Sequence, residues 1–168
     1  CLTDEEVVIK NIPLISDFMV MVAIIRELGG EAKIEDHTVY VRMKKFKKEK
    51  ISLDEAAKIR TSSMFLSPLL ARVGKAVIPN PGGCRIGARP IDRTVKGLKN
   101  LGFEALYSSN DGYYYFKKNN KQKEHREVKY RFEKSTHTGT ETLIMAGVLG
   151  KGITILENAA REPEILEL

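Results

Sequence analysis

One short segment of the chain concentrates the residue types best suited to chemistry. Residues 79–92 read PNPGGCRIGARPID and join a β-rich run to a helical pattern. At such a junction, free backbone N–H groups and the positive end of a helix dipole favour anions. Three glycines allow the backbone to approach a ligand closely, and Arg85 and Arg89 add charged, forked donors. The segment lacks the Gly-Lys-Ser/Thr ending of a P-loop, so it predicts a different kind of site for a phosphate-bearing ligand.

Cys84 lies in the middle of this electropositive segment. Neighbouring arginines and a helix N-terminus both stabilise a thiolate, which favours a reactive sulfur. A lone cysteine is also often a small buried hydrophobic residue, and the residue types alone leave both interpretations open. Cys1 and Cys84 are the two cysteines of the chain, too few for a disulfide framework, and they favour a reducing, cytoplasmic location.

The elements that must hold this segment repeat along the chain. Residues 25–32, IRELGGEA, resemble residues 98–105, LKNLGFEA, 73 positions later, and a third opening begins near residue 153. Each unit follows the order strand, turn, helix, glycine cap, strand, strand and second helix. Because a stacked unit of this kind cannot bury its apolar face alone, we expect one incomplete domain from a longer protein. Its predicted units are residues 1–74, 75–152 and the start of a third at 153–168.

Local patterns predict the helices of these units. Ile91, Val95, Leu98 and Leu101 fall on one helical face, with Pro90 suited to the first turn. Gly102, like Gly29 one repeat earlier, is expected to end its helix in a left-handed conformation.

The second half of the first unit predicts another helix and its cap. Ser52 and Glu55 have capping-box spacing ahead of a helix over residues 56–73, which Pro68 should kink or divide. Residues 38–41 and 113–116 are predicted strands, the second after a turn at residues 111–112.

Charge and hydropathy limit the possible partners. Much of the net charge of +6 lies in residues 42–50 and 117–131, which predict either a solvated surface or a site for a small anion. Little aromatic interleaving argues against a base-stacking surface, so no nucleic-acid partner is expected. The apolar stretch 12–25 contains Asp17 and is too short to span a bilayer, so it predicts a buried helix and no membrane association. The acidic start of the chain is unlike a secretory signal.

Three blocks resemble one protein family. Residues 81–92, PGGCRIGARPID, resemble the catalytic loop of UDP-N-acetylglucosamine enolpyruvyl transferases nearly residue for residue. RTS at 60–62 with SPLLARVG at 67–74, and ENAAREPEI at 157–165, resemble two further blocks of that family, and the resemblance covers essentially the whole chain. It implies an α/β (α+β) fold of repeated βαβαββ units packed as an inside-out α/β barrel, here incomplete.

The resemblance also implies an activity. The family transfers the enolpyruvyl group of phosphoenolpyruvate to the 3′-hydroxyl of UDP-N-acetylglucosamine through a tetrahedral ketal, with no metal and no other cofactor. Cys84 is implied to be the general acid toward the phosphoenolpyruvate methylene and the target of the epoxide fosfomycin, and Arg89 is implied to stabilise phosphate charge. The implied substrate-binding residues are Arg60, Arg89, Pro90, Ile91, Asp92, Arg93, Lys134, Ser135 and Gly139.

Some positions depart from the family pattern. Arg93 is usually apolar in the family, and His137 has no family counterpart; we interpret His137 as a polar turn residue and not a metal ligand. Arg72 is interpreted as structural, whereas Arg60 is expected to bind a ligand. The family's phosphoenolpyruvate-binding Lys-Asn pair would precede Cys1 and its second domain would follow residue 168, so the chain alone is expected to be inactive without its missing remainder.

Other functions stay open at this point. The sister enzyme that acts on shikimate 3-phosphate shares the repeated fold but lacks the cysteine loop. A noncatalytic or nucleic-acid-binding basic module is the second alternative. A thiol-redox protein is disfavoured because no resolving cysteine lies near Cys84.

Overall fold

The computed structural model describes residues 1–82, 91–119 and 127–168. Within them, the strands are β1 (Glu6–Lys10), β2 (Glu31–Glu35), β3 (Thr38–Arg42), β4 (Lys75–Pro79), β5 (Phe103–Ser108), β6 (Tyr113–Lys118), β7 (Glu127–Arg131) and β8 (Ile153–Glu157). The α-helices are α1 (Ser16–Glu27), α2 (Leu53–Ala56), α3 (Leu66–Val73), α4 (Asp92–Asn100), α5 (His137–Gly147) and α6 (Pro163–Glu167), and a 3-10 helix covers Arg60–Phe65.

The strands form three small sheets that follow the repeat. The strand orders are β1-β3-β2, β4-β6-β5 and β7-β8; the first two sheets are antiparallel and the third is parallel. Lys50 makes an isolated parallel bridge to Val77 in β4, so β4 has a parallel neighbour as β8 has β7. From the Lys50 bridge onward, the order is a helical segment, β4, α4, β5 and β6. With the bridge in the place of the first strand, this is the βαβαββ order that the family resemblance implies, whereas the unit boundaries at residues 74 and 152 stay a prediction.

The helices lie inside and the sheets lie outside. Leu28, Leu69, Leu98 and Leu143, at or within the helices α1, α3, α4 and α5, are fully buried in one apolar cluster. Burial alternates along β2 and β7, as expected when one face of a strand meets helices and the other meets solvent. The predicted inside-out α/β arrangement is therefore confirmed, and the described residues do not close a barrel.

Several local predictions are confirmed. Gly29 and Gly102 follow α1 and α4 with φ of +99° and +97°, a left-handed conformation that glycine adopts at little cost. Gly112 has φ of +75° in the turn before β6, and its N–H donates to the carbonyl of Ser108.

The helical segment predicted over residues 56–73 is divided, but not at Pro68. The division lies at residues 57–59, between α2 and the 3-10 helix. Pro68 lies in the first turn of α3, where the missing backbone N–H of proline has no helical hydrogen bond to make. Ser52 makes no side-chain cap for α2; its backbone N–H and hydroxyl instead donate to the carboxylate of Glu27, at 3.0 and 3.2 Å.

Most of the apolar stretch 12–25 lies in α1, and this helix is buried in part. Val22 and Ile24 are buried in two different apolar clusters, whereas Met19 is exposed. Over the described parts of the chain, none of the helices combines the length and the apolar character that crossing a bilayer demands.

Arg72 in α3 fastens separate segments together. Its guanidinium donates to the backbone carbonyls of Cys1 at 3.0 Å, Thr3 at 3.0 Å, Met43 at 2.6 Å and Lys44 at 2.9 Å. These contacts are all to main-chain oxygens, which supports the structural interpretation of this arginine.

The seam between β7 and β8 predicts a pH-dependent contribution to stability. The Lys129 ammonium, 2.8 Å from the Glu157 carboxylate, holds the pKa of that carboxyl below its ordinary value. A lowered native pKa gives stability at neutral pH that is lost as pH falls through that pKa. We expect Glu157→Gln to lower the urea midpoint slightly at pH 7 and by less below about pH 4, where glutamate becomes protonated. An equal loss at both pH values would contradict this explanation.

Candidate functional site

The first turns of α4 and α5 lie side by side. A Cβ atom built on Gly139 would stand 3.3 Å from Oγ1 of Thr94, and one built on Gly97 would stand 2.3 Å from Cδ1 of Leu143. Because 94 faces 139 and 97 faces 143, the two helices run in the same direction with their N-termini together. Two neighbouring helix N-termini present backbone N–H groups and positive dipole ends to one region, which suits an anionic ligand.

Thr136 caps the start of α5. Its hydroxyl oxygen accepts from the backbone N–H of Gly139, at 3.4 Å, and its carbonyl accepts from the N–H of Thr140, at 3.0 Å. A side chain at Gly139 would meet Cγ2 of Thr136 at 2.5 Å, so the close approach of cap and helix needs glycine here. Gly139 is thus buried between Thr136 and Thr94, and one of its polar groups already serves the cap.

Lys134 and Ser135 are exposed in the turn immediately before Thr136. Ser135 borders an open depression of about 480 Å³, whose other lining residues are Asn158, Ala159, Arg161 and Glu162. The structure therefore brings Ser135 next to the ENAAREPEI block, although Ser135 and Glu157 are 22 positions apart in the sequence.

Three hydrogen bonds fix the ENAAREPEI block against α5 and the turn before it. The Asn158 side chain donates to the Phe132 carbonyl at 2.9 Å, from a backbone with φ of +52°. The N–H of Phe132 donates to the carbonyl of Glu157 at 3.0 Å, and the N–H of Ala160 donates to the buried hydroxyl of Thr140 at 3.0 Å. These hydrogen bonds join residues 157–160 to α5 and to the segment that precedes it.

His137 lies in the first turn of α5 between two carboxylates. Its Nδ1 is 3.3 Å from Oε2 of Glu141, and its Nε2 is 3.9 Å from Oε2 of Glu164. Within the described ranges, no group of three His, Cys, Asp or Glu side chains is placed to hold a metal ion. His137 therefore connects α5 with α6, as a partnered polar residue.

The first turn of α4 offers both backbone and side-chain groups. Ile91 is buried and its carbonyl accepts from the N–H of Val95 at 2.9 Å, whereas Asp92 is exposed. The side chain of Arg93 is exposed and its carbonyl accepts from the Tyr130 hydroxyl at 3.2 Å. Contact between the Arg93 guanidinium and a ligand stays a prediction.

Arg60 begins the 3-10 helix, which packs against α5. The hydroxyl of buried Ser62 donates to the carbonyls of Ala56 and Ile59, at 3.0 and 2.8 Å, and the hydroxyl of Ser63 donates to the Arg60 carbonyl at 3.1 Å. Two serine hydroxyls therefore fix the backbone from which the half-buried Arg60 extends.

Gly82 marks where the cysteine loop leaves the described structure. Its N–H donates to the carbonyl of Ala56 at 3.1 Å, and a Cβ built on it would stand only 1.7 Å from the carbonyl oxygen of Ala57. The loop therefore departs beside the residues that precede Arg60 and returns at Ile91, where α4 begins. Cys84, Arg89 and Pro90 lie outside the described residues.

Sequence reasoning missed two residues that shape this site, Thr94 and Thr136, and it did not reveal that Gly82 packs against the backbone of Ala57. Thr136 had a signal, because threonine before an apolar helical run is a common N-cap. Thr94 and Gly82 act through neighbours 45 and 25 positions away in the chain, which no local pattern reveals.

Comparison with known proteins agrees with this architecture. A family model described as EPSP synthase (3-phosphoshikimate 1-carboxyvinyltransferase) matches residues 1–168. Curated proteins named UDP-N-acetylglucosamine 1-carboxyvinyltransferase are similar over 99% of this chain: that of Wolinella succinogenes is 37% identical, that of Acidobacterium capsulatum 36%, and that of Koribacter versatilis 37%. The chain spans 38–39% of the length of these relatives.

Two solved structures share the fold. The enolpyruvyl transferase NikO from Streptomyces tendae superposes with a TM-score of 0.77 at 18% identity, over 99% of this chain and 38% of its own. EPSP synthase from Acinetobacter baumannii gives a TM-score of 0.63 at 15% identity, over 96% of this chain and 37% of its own. With the family model matched from the first residue to the last, this chain belongs to the EPSP synthase family of enolpyruvyl transferases.

Proposed function

We propose that this chain is part of an enzyme that transfers the enolpyruvyl group of phosphoenolpyruvate to the 3′-hydroxyl of UDP-N-acetylglucosamine, the first committed step of peptidoglycan synthesis. Relatives carrying that name match 99% of the chain at 36–37% identity. The sequence also contains PGGCRIGARPID, which resembles the reactive-cysteine loop of the enzymes that use the UDP-sugar acceptor.

The observation that carries the proposal is the convergence of helix N-termini at the loop. The first turns of α4 and α5 lie together, Arg60 extends from the neighbouring 3-10 helix, and the loop leaves at Gly82 and returns at Ile91. Both substrates carry phosphate groups, and a region with aligned dipoles and an arginine suits them. Cys84 and Arg89, between Gly82 and Ile91 in sequence, would act at this region.

The proposed chemistry is an addition followed by an elimination. The 3′-hydroxyl oxygen bonds to C2 of phosphoenolpyruvate while the Cys84 thiol protonates the methylene at C3, which gives a tetrahedral ketal. Loss of a proton from the new methyl group and cleavage of the C2–O bond to phosphate then give the enol ether and inorganic phosphate. Arginine charge, for which we propose Arg89 and Arg60, stabilises the phosphate oxygens during both steps.

Acceptor specificity is the point on which the relatives and the family description differ. The family model and one solved structure are named for the shikimate 3-phosphate enzyme, whereas the curated relatives are named for the UDP-sugar enzyme. The full-length protein should release phosphate from phosphoenolpyruvate with UDP-N-acetylglucosamine and not with shikimate 3-phosphate. Turnover with shikimate 3-phosphate alone would overturn the proposed acceptor.

Cys84→Ala is the matched test of the loop. Loss of a general acid typically costs about 10²- to 10⁴-fold, so phosphate release should fall by a factor in that range. Cys1→Ala removes the other cysteine, and we expect turnover to be unchanged. Equal losses in the two variants would remove Cys84 from the proposed mechanism.

Cytoplasmic location and the absence of a nucleic-acid partner fit this reaction, since both proposed substrates are small anions. Both remain predictions from the sequence.

A further inference from the structure

Tyr130 in β7 contacts the first turn of α4. Its hydroxyl donates to the backbone carbonyl of Arg93 at 3.2 Å. Val128 and Tyr130 are the half-buried positions of β7 and alternate with exposed residues, so the Tyr130 side chain lies on the face of the strand that meets the helices. A directed contact therefore joins the third sheet to the end of α4 at which the cysteine loop returns.

The ring of Tyr130 is held in place by its own neighbours. It packs edge-on against the fully buried Phe132, with ring centroids 5.0 Å apart and an angle of 79° between the rings. The backbone of Phe132 is fixed in turn, because its N–H donates to the Glu157 carbonyl and its carbonyl accepts from the Asn158 side chain. The hydroxyl that reaches Arg93 thus extends from a part of the structure that packing and hydrogen bonds hold together.

The Tyr130 hydroxyl is a donor at neutral pH. Burial of the side chain, and then the negative charge of Glu133, raise the pKa of Tyr130 above the ordinary value for tyrosine. The phenol therefore stays protonated at neutral pH, and the carbonyl of Arg93 is an acceptor only.

A second contact joins the same two parts of the chain. The Lys96 ammonium, one turn further along α4, lies 2.7 Å from the carboxylate of Glu133, which follows β7. Both side chains are mostly exposed, and exposed ion pairs contribute little because water and salt screen them. The pair therefore adds little to the placement of the first turn, and it offers a matched comparison for the Tyr130 hydrogen bond.

We propose that Tyr130 is a positioning residue, whose hydroxyl fixes the first turn of α4 and, with it, the proposed acceptor-binding residues Ile91, Asp92 and Arg93. Without this hydrogen bond, the first turn can shift relative to β7, and the groups that residues 91–93 present to the UDP-sugar shift with it. The inference rests on the proposed function and adds to it a residue that acts through the backbone of α4 and does not itself touch substrate.

Tyr130→Phe tests the inference, because it removes the hydroxyl and keeps the packed ring. A hydrogen bond between neutral groups changes an equilibrium roughly 2- to 10-fold. In the full-length protein, we expect the KM for UDP-N-acetylglucosamine to rise by a factor in that range, with kcat and the KM for phosphoenolpyruvate unchanged. Glu133→Gln removes the exposed ion pair with Lys96 at the same junction, and it should leave all three constants unchanged.

Amide hydrogen exchange reports on the first turn without any turnover. The N–H of Val95 donates to the carbonyl of Ile91 at 2.9 Å, so its exchange follows local opening of this turn. We expect exchange at Val95 to be roughly 2- to 10-fold faster in Tyr130→Phe and unchanged in Glu133→Gln.

Either of two results in Tyr130→Phe would overturn the inference: an unchanged KM for UDP-N-acetylglucosamine, or unchanged exchange at Val95. A rise of the same size in the KM for both substrates would also overturn it, because this would indicate a general loosening of the fold. Failure of the unaltered protein to use UDP-N-acetylglucosamine would instead reject the proposed function, and exchange at Val95 would still decide whether the hydroxyl fixes the turn.

Discussion

Gly82→Ala is expected to lower the proposed enolpyruvyl transfer by the full-length protein about 10²-fold, the loss that a displacement of about 1 Å near a reacting group can produce. The added methyl would stand 1.7 Å from the carbonyl oxygen of Ala57, and 2.2 Å from its carbonyl carbon. Both atoms are main chain, so rotation of a side chain cannot relieve the overlap. Either the chain entering the cysteine loop or the segment before Arg60 must move, and each carries residues proposed to act on the substrates.

Gly147→Ala is the matched control. A Cβ on Gly147 meets Oγ1 of Thr154 at 3.0 Å, a side-chain atom that can rotate away, at the C-terminal end of α5 far along the helix from its first turn. Phosphate release and the rate of Cys84 alkylation would be compared in both variants at matched folded fractions. Normal activity in Gly82→Ala would show that the close approach of Gly82 to Ala57 has no role in positioning the loop.

Arg72→Ala is expected to lower the free energy of unfolding by about 3 kcal/mol. A hydrogen bond to a charged group contributes about 1.5–3 kcal/mol, and Arg72 donates to four carbonyls in two separate segments. Loss of the guanidinium leaves the partly buried carbonyls without this donor, although water can replace some of the bonds. Lysine keeps the charge but not the fork of donors, so Arg72→Lys should recover only part of the loss.

Chemical unfolding of the same protein measures this effect. Arg26→Ala is the matched control, because within the described residues the exposed Arg26 donates to a single carbonyl, that of Ala32, and its loss should change stability by less than about 1 kcal/mol. Losses of similar size at Arg72 and Arg26 would contradict the view that Arg72 fastens the segments together.

The repeat and its helix ends could be predicted because they depend on neighbours in sequence. Gly29 and Gly102 were identifiable since a left-handed residue after an apolar helical run strongly favours glycine. The same local reasoning failed at Ser52. The capping-box pattern covers only the next three residues. The backbone N–H and the hydroxyl of Ser52 instead donate to the carboxylate of Glu27, 25 positions earlier. Pro68 misled for a related reason, because a first-turn position tolerates proline and only the structure reveals where the turn begins.

The candidate site was predictable in its residue types and not in its assembly. Motif agreement with the family identifies four candidate residues: Arg60, Asp92, Ser135 and Gly139. It does not predict that the first turns of the helices α4 and α5 contact each other. Contact between α4 and α5 depends on Gly139 lying against Thr94, a tertiary packing that a lone glycine in a sequence does not predict. Tyr107 in β5 and Tyr114 in β6 contact each other across two neighbouring strands, and local sequence did not predict this contact either.

Mass spectrometry of the full-length protein after treatment with fosfomycin tests the central claim most directly. The claim is that the Cys84 thiol meets substrate at a region built by the first turns of α4 and α5. We expect one covalent adduct, mapped to the peptide that contains Cys84 and not to Cys1, with labelling faster when UDP-N-acetylglucosamine is present. A folded protein that binds UDP-N-acetylglucosamine but leaves Cys84 unlabelled, or labels Cys1 equally, would contradict the account.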